Sequence, residues 1–205
     1  MLQKNEKLKN KNSNKMIIGI TGKMGSGKST ISEYIKSIGF EEYSFSTPLK
    51  QIGEILDFSS TQLYGSQEQK LEIHPHWNIS SREFLQKVGT DLFRDMLPIV
   101  IPNMKIRDSI WIELFRIKYN RKRTNYVISD VRFLDEAKAI RDMGGIIFKT
   151  IRKNEVISKD GSENKHISEN ELESIEYNLE IDNENNSKEE AFNIVKKYLS
   201  GISFL

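Results

Sequence analysis

MIIGITGKMGSGKST, residues 16 to 30, decides how the chain is to be read. Met16 to Thr21 is a short isoleucine-rich run, the pattern of a strand buried on both faces. Gly22-Lys23-Met24-Gly25-Ser26-Gly27-Lys28-Ser29 then fits G-x-x-x-x-G-K-[ST], and Lys28 to Ile38 has helical character. Strand, glycine-rich loop and helix in that order make a phosphate-binding loop. The glycines let successive backbone N–H groups turn inward around a β-phosphate, and the helix presents its positive N-terminus. Lys28 adds a point charge and Ser29 a hydroxyl for Mg²⁺. A plain glycine-rich turn would explain neither the strand before it nor the helix after it.

Outward from this loop, short β-rich runs alternate with helical stretches. Strands are expected at Met16 to Thr21, Glu41 to Phe45, Tyr126 to Asp130, Gly145 to Ile151 and Leu179 to Asp182. Helices are expected at Lys28 to Ile38, Pro48 to Leu56, Ser81 to Leu97, Lys105 to Tyr119, Leu134 to Met143, near Ser168 to Ile175, and at Lys188 to Leu199. Alternation of this kind implies an α/β fold, a parallel sheet wrapped on both faces. Gly39 and Gly144 with Gly145 punctuate helix ends, and Ser187 with Glu190 forms a capping box. Residues 57 to 80, polar and interrupted by Gly65 and Pro75, read as a mobile insert outside the core.

A chain of 205 residues accommodates one such domain. Net charge is +2. The first fifteen residues hold five lysines against one glutamate, which leaves the rest at −2 and argues against a surface that coats nucleic acid. That tail has almost nothing to bury and is expected to be disordered. With no cysteine, a disulfide framework, a thiolate zinc site and a thiol nucleophile are all excluded. No run approaches the roughly 20 apolar residues of a spanning helix, so no membrane partner is expected and a cytoplasmic location suits the chain.

Residues beyond the loop narrow the kind of nucleotide chemistry. A GTPase needs Asn-Lys-x-Asp, which does not occur. Tyr126 to Asp130 resembles a Walker B strand, yet Val131-Arg132 comes after it in place of a second carboxylate to activate water. That favours transfer to an acceptor over hydrolysis. On a helix from Ser81, the residues Arg82, Gln86, Thr90 and Arg94 form a polar stripe opposite Leu85, Val88, Leu92 and Met96, which suits a phosphorylated acceptor or an ordinary solvated face.

GKMGSGKST (22–30), FSTPLK (45–50), REFLQKVGTDLFR (82–94), Trp111, SDVRFLDEA (129–137) and HISENEL (166–172) together resemble the deoxynucleoside monophosphate kinases of bacteriophages and large DNA viruses. The resemblance covers about residues 16 to 200. It implies a P-loop three-layer α/β/α fold with a central parallel five-stranded sheet, an acceptor-binding helical region over about 46–120 and a lid over about 152–170. The activity implied is ATP- and Mg²⁺-dependent phosphorylation of a deoxynucleoside 5′-monophosphate, in the cytoplasm of a host cell if the source is viral.

Carried over residue by residue, Gly22, Lys23, Met24, Gly25, Ser26, Gly27, Lys28, Ser29 and Thr30 hold the ATP phosphates. Lys50, Arg82, Gln86, Arg94, Trp111 and Arg132 fall at the acceptor, and Ser29 and Asp130 at Mg²⁺. Lys28, Asp130, Arg132 and Arg152 form the catalytic set, with Arg152 opening the lid and residues 182–188 resting against adenine. Asp130 serves as a magnesium holder with a phosphate acceptor, or as a base with a hydroxyl acceptor. A homodimer is a further expectation from the family. The readings kept beside this one are another small-molecule P-loop kinase, acting on phosphomevalonate or dephospho-coenzyme A, and a nucleotide-dependent switch without an acceptor. His74 and His76 read as a surface turn ahead of a metal pair, and His166 either as part of the family-like HISE segment or as a residue that simply hydrogen-bonds in a lid hinge.

Overall fold

The computed structural model describes residues 15–122, 124–152, 171–202 and 204. The tail before Lys15, the lid expected over about 152–170 beyond Arg152, and His166 lie outside them. The strands are β1 Ile17–Thr21, β2 Glu41–Tyr43, β3 Tyr126–Ile128, β4 Ile146–Ile151 and β5 Leu179–Asp182. The helices are α1 Lys28–Ser37, α2 Thr47–Ile55, α3 Ser60–Tyr64, α4 Gln67–Leu71, α5 Ser81–Lys87, α6 Leu97–Val100, α7 Ile110–Arg121, α8 Leu134–Asp142 and α9 Lys188–Gly201, with a π-helical segment Val88–Met96 joining α5 to α6.

All five strands are parallel, in the order β2-β3-β1-β4-β5. β1 is central, with Ile18 registered against Val127 on one side and Ile146 on the other. Every residue of β1 and β3 is buried, as their unbroken apolar runs require. Ile18 and Ile20 belong to a core with Ile31 and Ile35 of α1 and Ala191, Val195 and Leu199 of α9. Ile17 belongs to the opposite core, with Leu49, Phe84, Trp111, Phe115 and Ile140 from α2, α5, α7 and α8. The sheet therefore lies between two helical layers.

β2 and β3 stop two residues earlier than the apolar pattern suggests. The cause is a cross-connection: Phe45 N donates to Asp130 Oδ1 at 2.8 Å, so both chains leave the ladder to build a turn at its edge. α7 likewise begins at Ile110, later than the expected Lys105, because Ser109 caps it through a bond from Ile112 N at 3.4 Å.

The larger correction concerns residues 57–80, which are ordered and packed. Ser59 and Ser66 each cap a helix and receive a glutamine three residues on, giving two capping boxes in succession. Phe58 and Leu63 are core residues. His74 is buried and uses both ring nitrogens structurally: Nε2 lies 3.0 Å from Asp57 O, and Nδ1 accepts from His76 N and Trp77 N. The Trp77 indole donates to Leu56 O at 2.6 Å, fastening the segment to the end of α2.

Candidate active site

Parallel strands deliver their carboxyl ends to one edge, and ligands of open α/β sheets bind there at the switch point, here beside β1. The loop after β1, the turn after β2, the residues after β3 and the ends of β4 and β5 meet at that edge. Gly22, Gly25 and Gly27 have φ of 142°, 79° and 93°. At Gly27 a Cβ would also lie 2.5 Å from Asn183 Nδ2. The loop is braced from two strands: Ser26 Oγ is 2.7 Å from Thr150 Oγ1 on β4, and Asn183 Nδ2, just past β5, donates to Ser26 O at 2.7 Å.

Lys28 Nζ lies over its own loop, donating to Gly22 O at 2.6 Å and Lys23 O at 2.7 Å. Burial, helped by the nearby Arg132 and opposed by Asp130, brings its ammonium down to about 8. These are the attributes of a cation held ready for an anion: partly desolvated, facing another cation and satisfied only by neutral carbonyls.

Asp130 organises the turn after β2. Its Oδ2 accepts from Ser44 Oγ at 2.6 Å and Ser46 N at 3.0 Å, while Oδ1 accepts from Phe45 N. The turn leads directly into α2, which carries Lys50. Burial lowers the Lys50 ammonium, Asp130 raises it again and Arg132 lowers it. Lys70 on α4 is lowered by burial and then by Lys50, Arg132 and Arg82. Lys28, Lys50, Lys70, Arg82 and Arg132 thus converge from five separate segments into one cationic cluster, with Asp130 and Glu42 as the carboxylates that offset it.

A family model described as deoxynucleotide monophosphate kinase matches residues 53–192. A protein of Acanthamoeba polyphaga mimivirus named "Putative deoxynucleotide monophosphate kinase" is 39% identical over 168 residues, 78% of this chain and 83% of that one. The chain belongs to the deoxynucleotide monophosphate kinase family. Among solved structures, TT1252 from Thermus thermophilus aligns with a TM-score of 0.51 at 16% identity over 92% of this chain and 98% of that one, a likeness of fold alone. A dephospho-CoA kinase from Campylobacter jejuni reaches a TM-score of 0.45 at 17% identity, over 91% and 98% of the two chains.

In this kinase the site residues expected from sequence divide into two groups. Gly22 to Thr30, Lys50, Arg82, Asp130 and Arg132 belong to the loop and the charge cluster beside it. Arg152 is exposed at the end of β4, with Nη2 3.4 Å from Asn183 O, and Gln86 is half-buried on α5. Arg94 and Trp111 have partners of their own. The Trp111 indole is in the core, packed on Phe93 and donating to Gly89 O at 3.0 Å. Arg94 faces two carboxylates, Asp135 at 2.5 Å and Glu136 at 2.9 Å. The stripe from Arg82 to Arg94 assumes α-helical geometry throughout; from Val88 the helix is π-helical, so the stripe does not continue in α register.

Three contributors carry no motif: Lys70 in the segment read as an insert, Thr150 in the middle of a strand pattern and Asn183 in a polar loop. The two capping boxes were the signal that would have ordered the first. The other two act through contacts with residues far away in the chain.

Proposed function

We propose that this kinase transfers the γ-phosphoryl group of ATP to the phosphate of a deoxynucleoside 5′-monophosphate, with Gly22 to Thr30 holding ATP and residues 46–120 forming the acceptor side. The observation that carries the reading is the cation cluster beside the P-loop. Gathering five like charges costs free energy in the absence of an anion. ATP and a monophosphate together bring about six negative charges, enough to repay that cost and to need it. Lys28 would exchange its loop carbonyls for phosphate oxygens, while Lys50, Lys70, Arg82 and Arg132 hold the acceptor phosphate in line.

An anionic phosphate oxygen needs no general base. Asp130 suits that chemistry, since three donors from the turn after β2 occupy its carboxylate and no base function is demanded of it. The oxygen donors of Ser29 and Asp130 are the hard ligands Mg²⁺ prefers. A carboxylate with about four acceptor positions, three of them filled, retains one for a water of the ion. Magnesium there would supply charge neutralisation between the phosphates. No helix among the described residues is long and apolar enough to cross a membrane. A viral relative suits work in the cytoplasm of an infected cell, supplying diphosphates for DNA synthesis.

Paired variants test the division of labour. Lys28→Ala is expected to abolish transfer, and Arg82→Ala to raise the KM for the monophosphate with little change in that for ATP. Wild-type rates in both would defeat the assignment.

A further inference from the structure

A buried charge cluster joins the acceptor helix to the loop bearing Arg132. Glu136, in the first turn of α8, is buried. Its Oε2 accepts from Arg132 N at 2.8 Å and Phe133 N at 3.2 Å. Its Oε1 accepts from Arg94 Nη2 at 2.9 Å, while Arg94 Nη1 donates to Asp135 Oδ2 at 2.5 Å. The guanidinium also lies on the Phe133 ring, 3.7 Å from its centroid. Capping N–H groups at the start of α8 explains a carboxylate at Glu136. It does not explain why an arginine from another element is brought in and buried against it.

The placement does. Arg94 lies in the π-helical continuation of α5, whose first turn carries Arg82. Glu136 grips the backbone of Arg132. One guanidinium therefore ties together the two elements that carry acceptor cations. Arg94 is poorly suited to binding the phosphate itself, because both of its Nη atoms are already committed to Asp135 and Glu136. Burial pushes the Glu136 carboxyl up to about 8, against the pull of Arg94, so each partner depends on the other.

We propose that Arg94 and Glu136 are positioning residues for phosphoryl transfer, holding the Arg132 backbone at a fixed offset from the helix that bears Arg82 so that both cations meet one monophosphate. The inference rests on Arg82 and Arg132 acting at the acceptor.

Single removal of either charge strands the other in the interior, so the decisive variant is the neutral double, Arg94→Met with Glu136→Gln. Steady-state kinetics are measured on it, on the wild type, on Arg132→Met and on the triple variant, with circular dichroism to verify folding. The double variant is expected to fold, to keep the KM for ATP and to lose on the order of a hundredfold in kcat, the scale of a displaced catalytic group. Arg132→Met in that background should cost far less than in the wild type, because the residue is already out of place. A folded double variant with kcat within about twofold of wild type overturns the inference. So does a raised monophosphate KM at unchanged kcat that adds fully to the effect of Arg132→Met, which would make Arg94 a direct ligand. If the wild type itself transfers to no monophosphate, the functional reading falls and takes the inference with it; an active wild type beside unaffected variants removes the inference alone.

Discussion

Lys28 sits at about 8 in the free protein, below the 10.5 of an unburied lysine. Between those two values the unfolded chain binds more protons at this group than the folded one, so its contribution makes stability rise with pH there. Catalysis runs the other way, because the ammonium is the form that meets phosphate. kcat/KM for ATP is expected to fall as pH passes about 8, and the corresponding limb of kcat should lie higher, since bound phosphate favours the charged form. A pH–rate profile with no alkaline limb, or with coincident limbs, would speak against Lys28 in this role. Loss of the ammonium in Lys28→Ala should cost at least about 10²-fold in kcat, the scale seen when one preorganised charge-stabilising group is removed. The motif made Lys28, Ser29 and the three glycines legible because their geometry is local. Asn183 was not legible as a brace, since only the parallel pairing of β4 with β5 brings it to Ser26 and Gly27.

α3 and α4 show how an element can be misread when its polarity is weighed and its caps are not. Ser59 with Gln62 and Ser66 with Gln69 start two short helices, and Leu63 fills the space above the bare Gly53 of α2. Leu63→Ala should therefore cost about 2–5 kcal/mol in a urea denaturation, the range for a fully buried leucine. A cost near zero would mean that the segment is loose after all. Its site contribution is separable: Lys70→Ala is expected to raise the monophosphate KM roughly tenfold or more, the loss of one charge-assisted contact, and to leave the KM for ATP alone. The π-helical run at Val88–Met96 left no trace in the hydrophobic pattern, which reads equally well on an α-helix. The pairing of Arg94 with Asp135 and Glu136 left no trace either, since both acids lie about forty residues further along the chain.

At the scale of the whole molecule, sheet order and charge distribution say the same thing. β1 lies between β3 and β4, so its loop is central at the carboxyl edge, flanked by the Asp130 turn on one side and by Thr150 and Asn183 on the other. Elsewhere cations meet acids, as where Glu41 pairs with Lys118 and Lys122, and Arg116 with Asp108 and Glu113. The alternation of strands and helices made the parallel sheet readable from the sequence. The assembly of one cationic cluster from five segments was not, because it depends on long-range packing. What that cluster accepts is tested most directly by ADP release from Mg-ATP in a coupled assay, with each common dNMP and NMP, phosphomevalonate, dephospho-coenzyme A and no acceptor. Strong stimulation by one or a few deoxynucleoside monophosphates is the expected result. ADP release that is equal without an acceptor, or stimulation by a different acceptor class, would contradict it.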